Sequence, residues 1–147
     1  MSLTRYAEAS IFLVRVALGW IFLYSGASKI ISGTWSAAGY LSSAKTFPAF
    51  FAWFARPENI DWVTMLNEWG MLLIGISLIL GAFVRYSAIF GALLMALYYL
   101  PALNFPYASD HFYLVDDHVI YFLTFLILSG IHAGEFLGFD KWLSRTR

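Results

Sequence analysis

The stretch IFLVRVALGWIFLYSGASKII, Ile11 to Ile31, decides how the rest of the chain is read. Arg15 near its start and Lys29 near its end are its only charges. A helix of roughly 20 mostly apolar residues crosses a bilayer core of about 30 Å, so this stretch reads as a transmembrane helix. Arg15, Gly19, Phe22, Gly26 and Lys29 recur on one of its faces, which places the two cations about 21 Å apart along the axis. The glycines between them let a neighbouring helix approach closely.

Composition extends that reading to the whole chain. Of 147 residues, 61% are hydrophobic and 12% charged, where soluble domains run at roughly one half and one quarter. Mean hydropathy is +0.70. Three further apolar stretches are long enough to span, giving spans at about 11–31, 62–84, 86–104 and 118–136 in a single all-α, four-helix membrane domain. Arg85 alone separates the second and third spans, which therefore form a tight hairpin. Between Ser32 and Asp61 lies the aromatic run Phe47-Pro48-Ala49-Phe50-Phe51-Ala52-Trp53-Phe54, too short to span and bracketed by prolines. It reads as an interfacial or re-entrant lid. Ser25-Gly26-Ala27 resembles a signal-peptidase site, but the apolar run before it begins far from Met1, so the first span is expected to be retained.

Arg5, Arg85, Lys141, Arg145 and Arg147 fall on one side of such a bundle, and Lys45 and Arg56 on the other. The excess predicts cytoplasmic termini and an outward-facing lid in a multi-pass cell-membrane protein. Nine basic residues balance nine acidic ones, which gives no reason to expect a nucleic-acid partner. The absence of cysteine excludes a disulfide, a thiolate-bound metal and covalent haem. His118 and His132 on one helix stand about 21 Å apart, a poor geometry for one haem. Asp110, His111, Asp116, Asp117 and His118 show no diagnostic ligand spacing, so no metal site is expected.

A charge inside a membrane helix costs about 2.5–3.5 kcal/mol and calls for a partner, water or a route to the interface. By depth, Arg15 matches Glu135 and His132, and a structural Arg15–Glu135 ion pair is expected. Lys29 either snorkels to headgroups or meets Glu68 and the segment Asp116-Asp117-His118. Glu68 is too short to snorkel. The two aspartates suit a helix N-terminus, and His118 adds a group that exchanges protons near neutral pH.

Arg15-x-x-x-Gly19, Gly26-x-x-Lys29, Glu68, Gly75, Leu80-Gly81 and Arg85 together resemble the DoxX family of four-helix membrane proteins. Trp35-Ser36-Ala37-Ala38-Gly39-Tyr40-Leu41, Leu97-Tyr98-Tyr99-Leu100 and Leu114 to Tyr121 resemble its DoxD-type branch, which includes the large subunit of thiosulfate:quinone oxidoreductase. The resemblance runs from about Val14 to Trp142. Where that branch more often has Asp-Glu-His, this chain has Asp116-Asp117-His118, which keeps the acid but shortens it. The resemblance implies oxidation of thiosulfate at the outer face, with membrane quinone as electron acceptor. Lys29, Lys45 and Arg56 would then attract the small anionic substrate, Trp69, Tyr99 and Tyr121 would line the quinone slot, and Glu68, Asp117 and His118 would be catalytic. A non-catalytic subunit anchoring a second subunit or a homo-oligomer is the alternative, and a small-solute pathway a third.

Overall fold

The structure, a computed structural model, describes residues 4–109 and 112–145. Asp110, His111 and Arg147 lie outside the described residues. Helix α1 is Arg5–Ser32, capped at its start by the Thr4 hydroxyl and at its end by Gly33 in the left-handed region. Two short helices follow, α2 at Ala38–Ser42 and α3 at Pro48–Phe54. Helix α4, Pro57–Leu80, starts on a proline and stops on left-handed Gly81, the two residues best suited to those ends. Helix α5 is Val84–Ala102. A two-stranded antiparallel hairpin, β1 at Tyr107–Ser109 and β2 at Phe112–Tyr113, leads into α6 at Asp117–Gly130. A 3-10 turn at Ala133–Glu135 and helix α7, Asp140–Arg145, complete the chain.

Three of these helices, α1, α4 and α5, are long and apolar enough to cross a membrane. The fold is an all-α membrane bundle whose outer surface is hydrocarbon: Phe90 is 64% and Leu73 59% exposed, which lipid tolerates and water does not. Inside, α1 packs chiefly on α4 and α5 on α6. Phe22 and Phe125 meet edge to face at 5.0 Å between the two pairs, in a core that includes Leu18, Leu78, Ala88 and Leu128. The glycines of α1 sit at its contact with α4. A Cβ on Gly26 would stand 2.5 Å from the Leu72 amide nitrogen, and one on Gly19 2.9 Å from the Leu78 Cβ.

Several boundaries differ from those the sequence predicts. The hairpin between the second and third spans is closed by Gly81, Ala82 and Phe83, with Arg85 inside the first turn of α5. The fourth helix was expected to reach Phe136 but ends at Gly130; His132 takes a left-handed conformation with φ of 53°. This turn has a physical purpose, because it brings backbone carbonyls of the following segment onto Arg15. Gly130 and Gly134 therefore do not form a helical packing motif. The lid is two short helices, α2 within the helix-like stretch Ala37 to Ala44 and α3 on the aromatic run, docked by Ala37 N–H on Thr64 Oγ1 at 3.3 Å, Lys45 N–H on Pro101 O at 2.9 Å and Thr46 Oγ1 on Leu103 O at 2.5 Å.

Gly26→Val places methyl groups against helix backbone that cannot move aside. We expect it to lower stability by about 1–3 kcal/mol, read as a fall in melting temperature of the detergent-solubilised protein. Gly39→Ala, where an added Cβ meets nothing within 4 Å, leaves the melting temperature unchanged.

Candidate functional site

Each cation of α1 organises one end of the bundle. Arg15 is fully buried. Its guanidinium donates to the carbonyls of Ala133 at 2.8 Å, Phe136 at 3.1 Å and Leu137 at 3.1 Å. The expected Arg15–Glu135 ion pair is absent and Glu135 is exposed. Carbonyls of the 3-10 turn and of the segment after it take the place of the carboxylate, because the chain leaves the helix at Gly130 and these acceptors are free to face the guanidinium. The acid that acts on Arg15 is Asp140. Its carboxylate also accepts from the amides of Phe83 at 2.6 Å and Val84 at 3.0 Å, so it supplies α5 with the N-cap its own sequence lacks. Among the described residues, Arg15 Nε is the buried side-chain polar atom left without a partner.

At the other end Lys29 is half-buried and does not reach outward. Its ammonium donates to Asn67 Oδ1 at 2.9 Å and Tyr98 Oη at 2.8 Å, touches Met71 Sδ at 3.4 Å and sits 3.9 Å over the Trp35 ring. Tyr98 Oη in turn donates to Asn67 Oδ1 at 2.9 Å, closing a triangle across α1, α4 and α5. Glu68 attracts Lys29 electrostatically but is not among its hydrogen-bond partners.

The Tyr98 ring links this triangle to α6. It stacks on His118 at 5.7 Å with 11° between the planes. His118 Nδ1 lies 2.7 Å from Asp116 Oδ2, while Asp116 Oδ1 accepts from the Val119 amide and caps α6. Asp116 is buried and Asp117 exposed, so the carboxylate that orients the imidazole is the first aspartate and not the expected second. A cap residue has one carboxylate beside the helix axis, and the next residue is turned about 100° away. Tyr40 of α2 donates its hydroxyl to the Tyr98 carbonyl.

Beside the triangle lies a cavity of about 200 Å³ under the lid, walled by Trp35, Tyr40, Phe51, Phe54, Trp62 and Tyr98, with Asn67 at its edge. The amide nitrogen of Asn67 has no acceptor among the described residues, whereas its oxygen takes both bonds of the triangle. None of Trp69, Tyr99 and Tyr121 lines this cavity. Trp69 is 50% exposed, two residues and about 200° round α4 from Asn67. Tyr99 donates to Leu114 O at 2.5 Å, and Tyr121 packs on the core. Lys45 and Arg56 are exposed on the lid connections and take no part in the Lys29 triangle. Of the expected site, Lys29 and His118 come together. Asn67, Tyr98, Trp35, Tyr40 and Asp116 join them; in sequence Trp35, Tyr40 and Tyr98 stand in the stretches that resemble the DoxD-type branch and Asp116 at a capping position, whereas Asn67 is marked only by its depth beside Glu68.

The DoxX family model matches residues 10–102. The match covers well over half of the chain and takes in Lys29, Trp35, Asn67 and Tyr98, while Asp116 and His118 lie beyond it. No curated protein and no solved structure matches the chain.

Burial, and then the neighbouring Tyr98 and Asp116, push the Tyr40 phenol up to about 12 from an ordinary value of 10.0. The fold thus favours the neutral phenol, which donates to Tyr98. That contribution is whole below about pH 10 and is lost as pH rises through about 12. Tyr40→Phe is expected to remove this alkaline loss of stability, measured as melting temperature against pH, while lowering stability at neutral pH by about 1 kcal/mol for the lost hydrogen bond.

Proposed function

The chain belongs to the DoxX family of membrane proteins, and from that premise we propose that it is an oxidoreductase subunit that takes a membrane quinone into the cavity beneath the lid. The observation that carries this reading is the pairing of an aromatic-walled cavity with a free amide donor, Asn67 Nδ2, at the edge of the Lys29–Tyr98 triangle. A flat ring with carbonyl oxygens needs apolar faces and one or two fixed donors, and this is the lining the cavity offers. A bound quinone would supply a two-electron, two-proton acceptor.

The residues of the chain then divide the remaining work. Asn67 Nδ2 orients a carbonyl oxygen, and Lys29 holds positive charge where negative charge would develop. Tyr98 Oη, accepting from Lys29 and donating to Asn67 Oδ1, fixes the positions of the ammonium and of the amide donor. With Asp116 accepting from Nδ1, neutral His118 carries its free lone pair at Nε2, and we assign to it the acid–base role at this end. The lid excludes water from the cavity, which strengthens each of these interactions.

The electron donor in this proposal is thiosulfate or a related small reduced sulfur anion, drawn to the outer side by Lys29 and by Lys45 and Arg56, both exposed on the lid connections. Support for it comes from the resemblance of Leu114 to Tyr121 to the DoxD-type branch and from the predicted outward orientation of the lid. A second reading, a non-catalytic subunit that organises a separate redox protein, is favoured by one observation: Lys29 is fully engaged by its own neighbours, as a purely structural clamp would be.

The test is turnover by purified protein in detergent with thiosulfate and a short-chain quinone, alone and with any co-purifying subunit. Quinone reduction is expected. Asn67→Leu should weaken quinone binding about tenfold, the cost of one unmade hydrogen bond. Asp116→Asn should lower kcat by about 10²-fold and shift its pH profile. No turnover in either preparation sinks the enzyme reading and leaves the organising one.

A further inference from the structure

The cavity under the lid does not end at its own floor. Leu66 on α4 and Leu94 and Leu97 on α5 line both it and a second space of about 440 Å³ that continues along the membrane face between these two helices. This groove runs down past Gly70 and Leu93 to Phe83 and Ser87 near the Arg15 end. From Leu97 to Phe83 it follows fourteen residues of helix, about 21 Å. It exists because α4 and α5, although joined by a short turn, make far fewer contacts than α1 with α4 or α5 with α6. Gly70 keeps it open: an added Cβ there meets nothing within 4 Å.

The chemistry of the groove is hydrocarbon throughout. Its two hydroxyls are spent within the protein, Ser77 Oγ donating to Ala82 O at 2.5 Å and lying 2.8 Å from Ser87 Oγ. No charged side chain lines it. A cavity with a polar edge, opening past three leucines into a long apolar groove that follows α4 and α5, has the shape of an amphiphile with a compact ring and an extended tail.

We propose that the α4–α5 groove seats the hydrocarbon tail of the same molecule whose ring occupies the lid cavity, so that the ligand class is a long-tailed membrane quinone and not a free, tailless one. This rests on the quinone reading above. Bulk lipid offers no hydrophobic gain over the groove, so selectivity comes from packing and from tethering. A ring held in the cavity keeps its tail at high local concentration beside the groove, which lets it displace lipid acyl chains.

The test compares a benzoquinone without a tail and the same ring with a decyl tail, binding to protein in phosphatidylcholine nanodiscs by quenching of tryptophan fluorescence. Gly70→Trp places an indole in the groove from a position where an added Cβ meets nothing within 4 Å, and Gly130→Trp, where the same holds, controls for an added indole. Gly70→Trp is expected to weaken the decyl probe about tenfold relative to wild type while leaving the tailless probe unchanged. Gly130→Trp should match wild type for both probes. If both probes bind and Gly70→Trp affects them equally or not at all, the groove holds only lipid and the inference falls while the quinone reading stands. If neither probe binds wild type, the quinone reading falls and the tail seat with it.

Discussion

A cation on a helix in hydrocarbon must be satisfied at its own depth, and α1 carries one toward each end. Lys29 is met by side chains, Asn67 and Tyr98, with Trp35 over it. Arg15 is met by backbone, three carbonyls from residues 133 to 137. The difference follows from the groups themselves. A guanidinium presents a planar fork of donors that several carbonyls can share, whereas an ammonium is a compact charge that suits a small ring of oxygen and aromatic ligands. Because both cations sit on one helix, satisfying them fixes how α4, α5 and the segment after α6 are placed around it.

Close approach is the second requirement. Hydrogen bonds of about 2.9 Å from Lys29 to α4 and α5 need α1 to lie deep against its neighbours, which Gly19, Gly26 and Gly75 permit. Small residues where α4 meets α1 and a groove where it meets α5 go together: α4 packs closely on α1 and only sparsely on α5. The cavity and groove are thus by-products of the packing that buries Lys29. Tyr98 joins the two functions, holding Lys29 through its hydroxyl, His118 through its ring and Tyr40 through its carbonyl.

Much of this was legible in the sequence where residue type and depth decide the outcome. The apolar lengths of α1, α4 and α5, the glycine face of α1 and the short lid segment all follow from spacing. What was not legible depends on rotation or on backbone. Asn67, which lines the cavity, and Trp69, which does not, differ by about 200° of rotation on one helix. Asp116, which meets His118, and the exposed Asp117 differ by one residue in a cap. Glu135 was the obvious partner for Arg15 because carboxylates are visible in a sequence, whereas carbonyls released by an early helix end are not. The same blindness hid the stop at Gly130, since Ile131 continues the apolar run and only the demand of Arg15 for acceptors explains the turn.

The segment that satisfies Arg15 and caps α5 through Asp140 follows α1, α4 and α5 in the chain. Until it is made, α1 must hold a guanidinium in the bilayer without its final acceptors, and α5 must hold an uncapped N-terminus beside it. Assembly of this end therefore waits on residues 133–140, and a chain broken off before residue 133 would be left with an unpaired charge in the membrane.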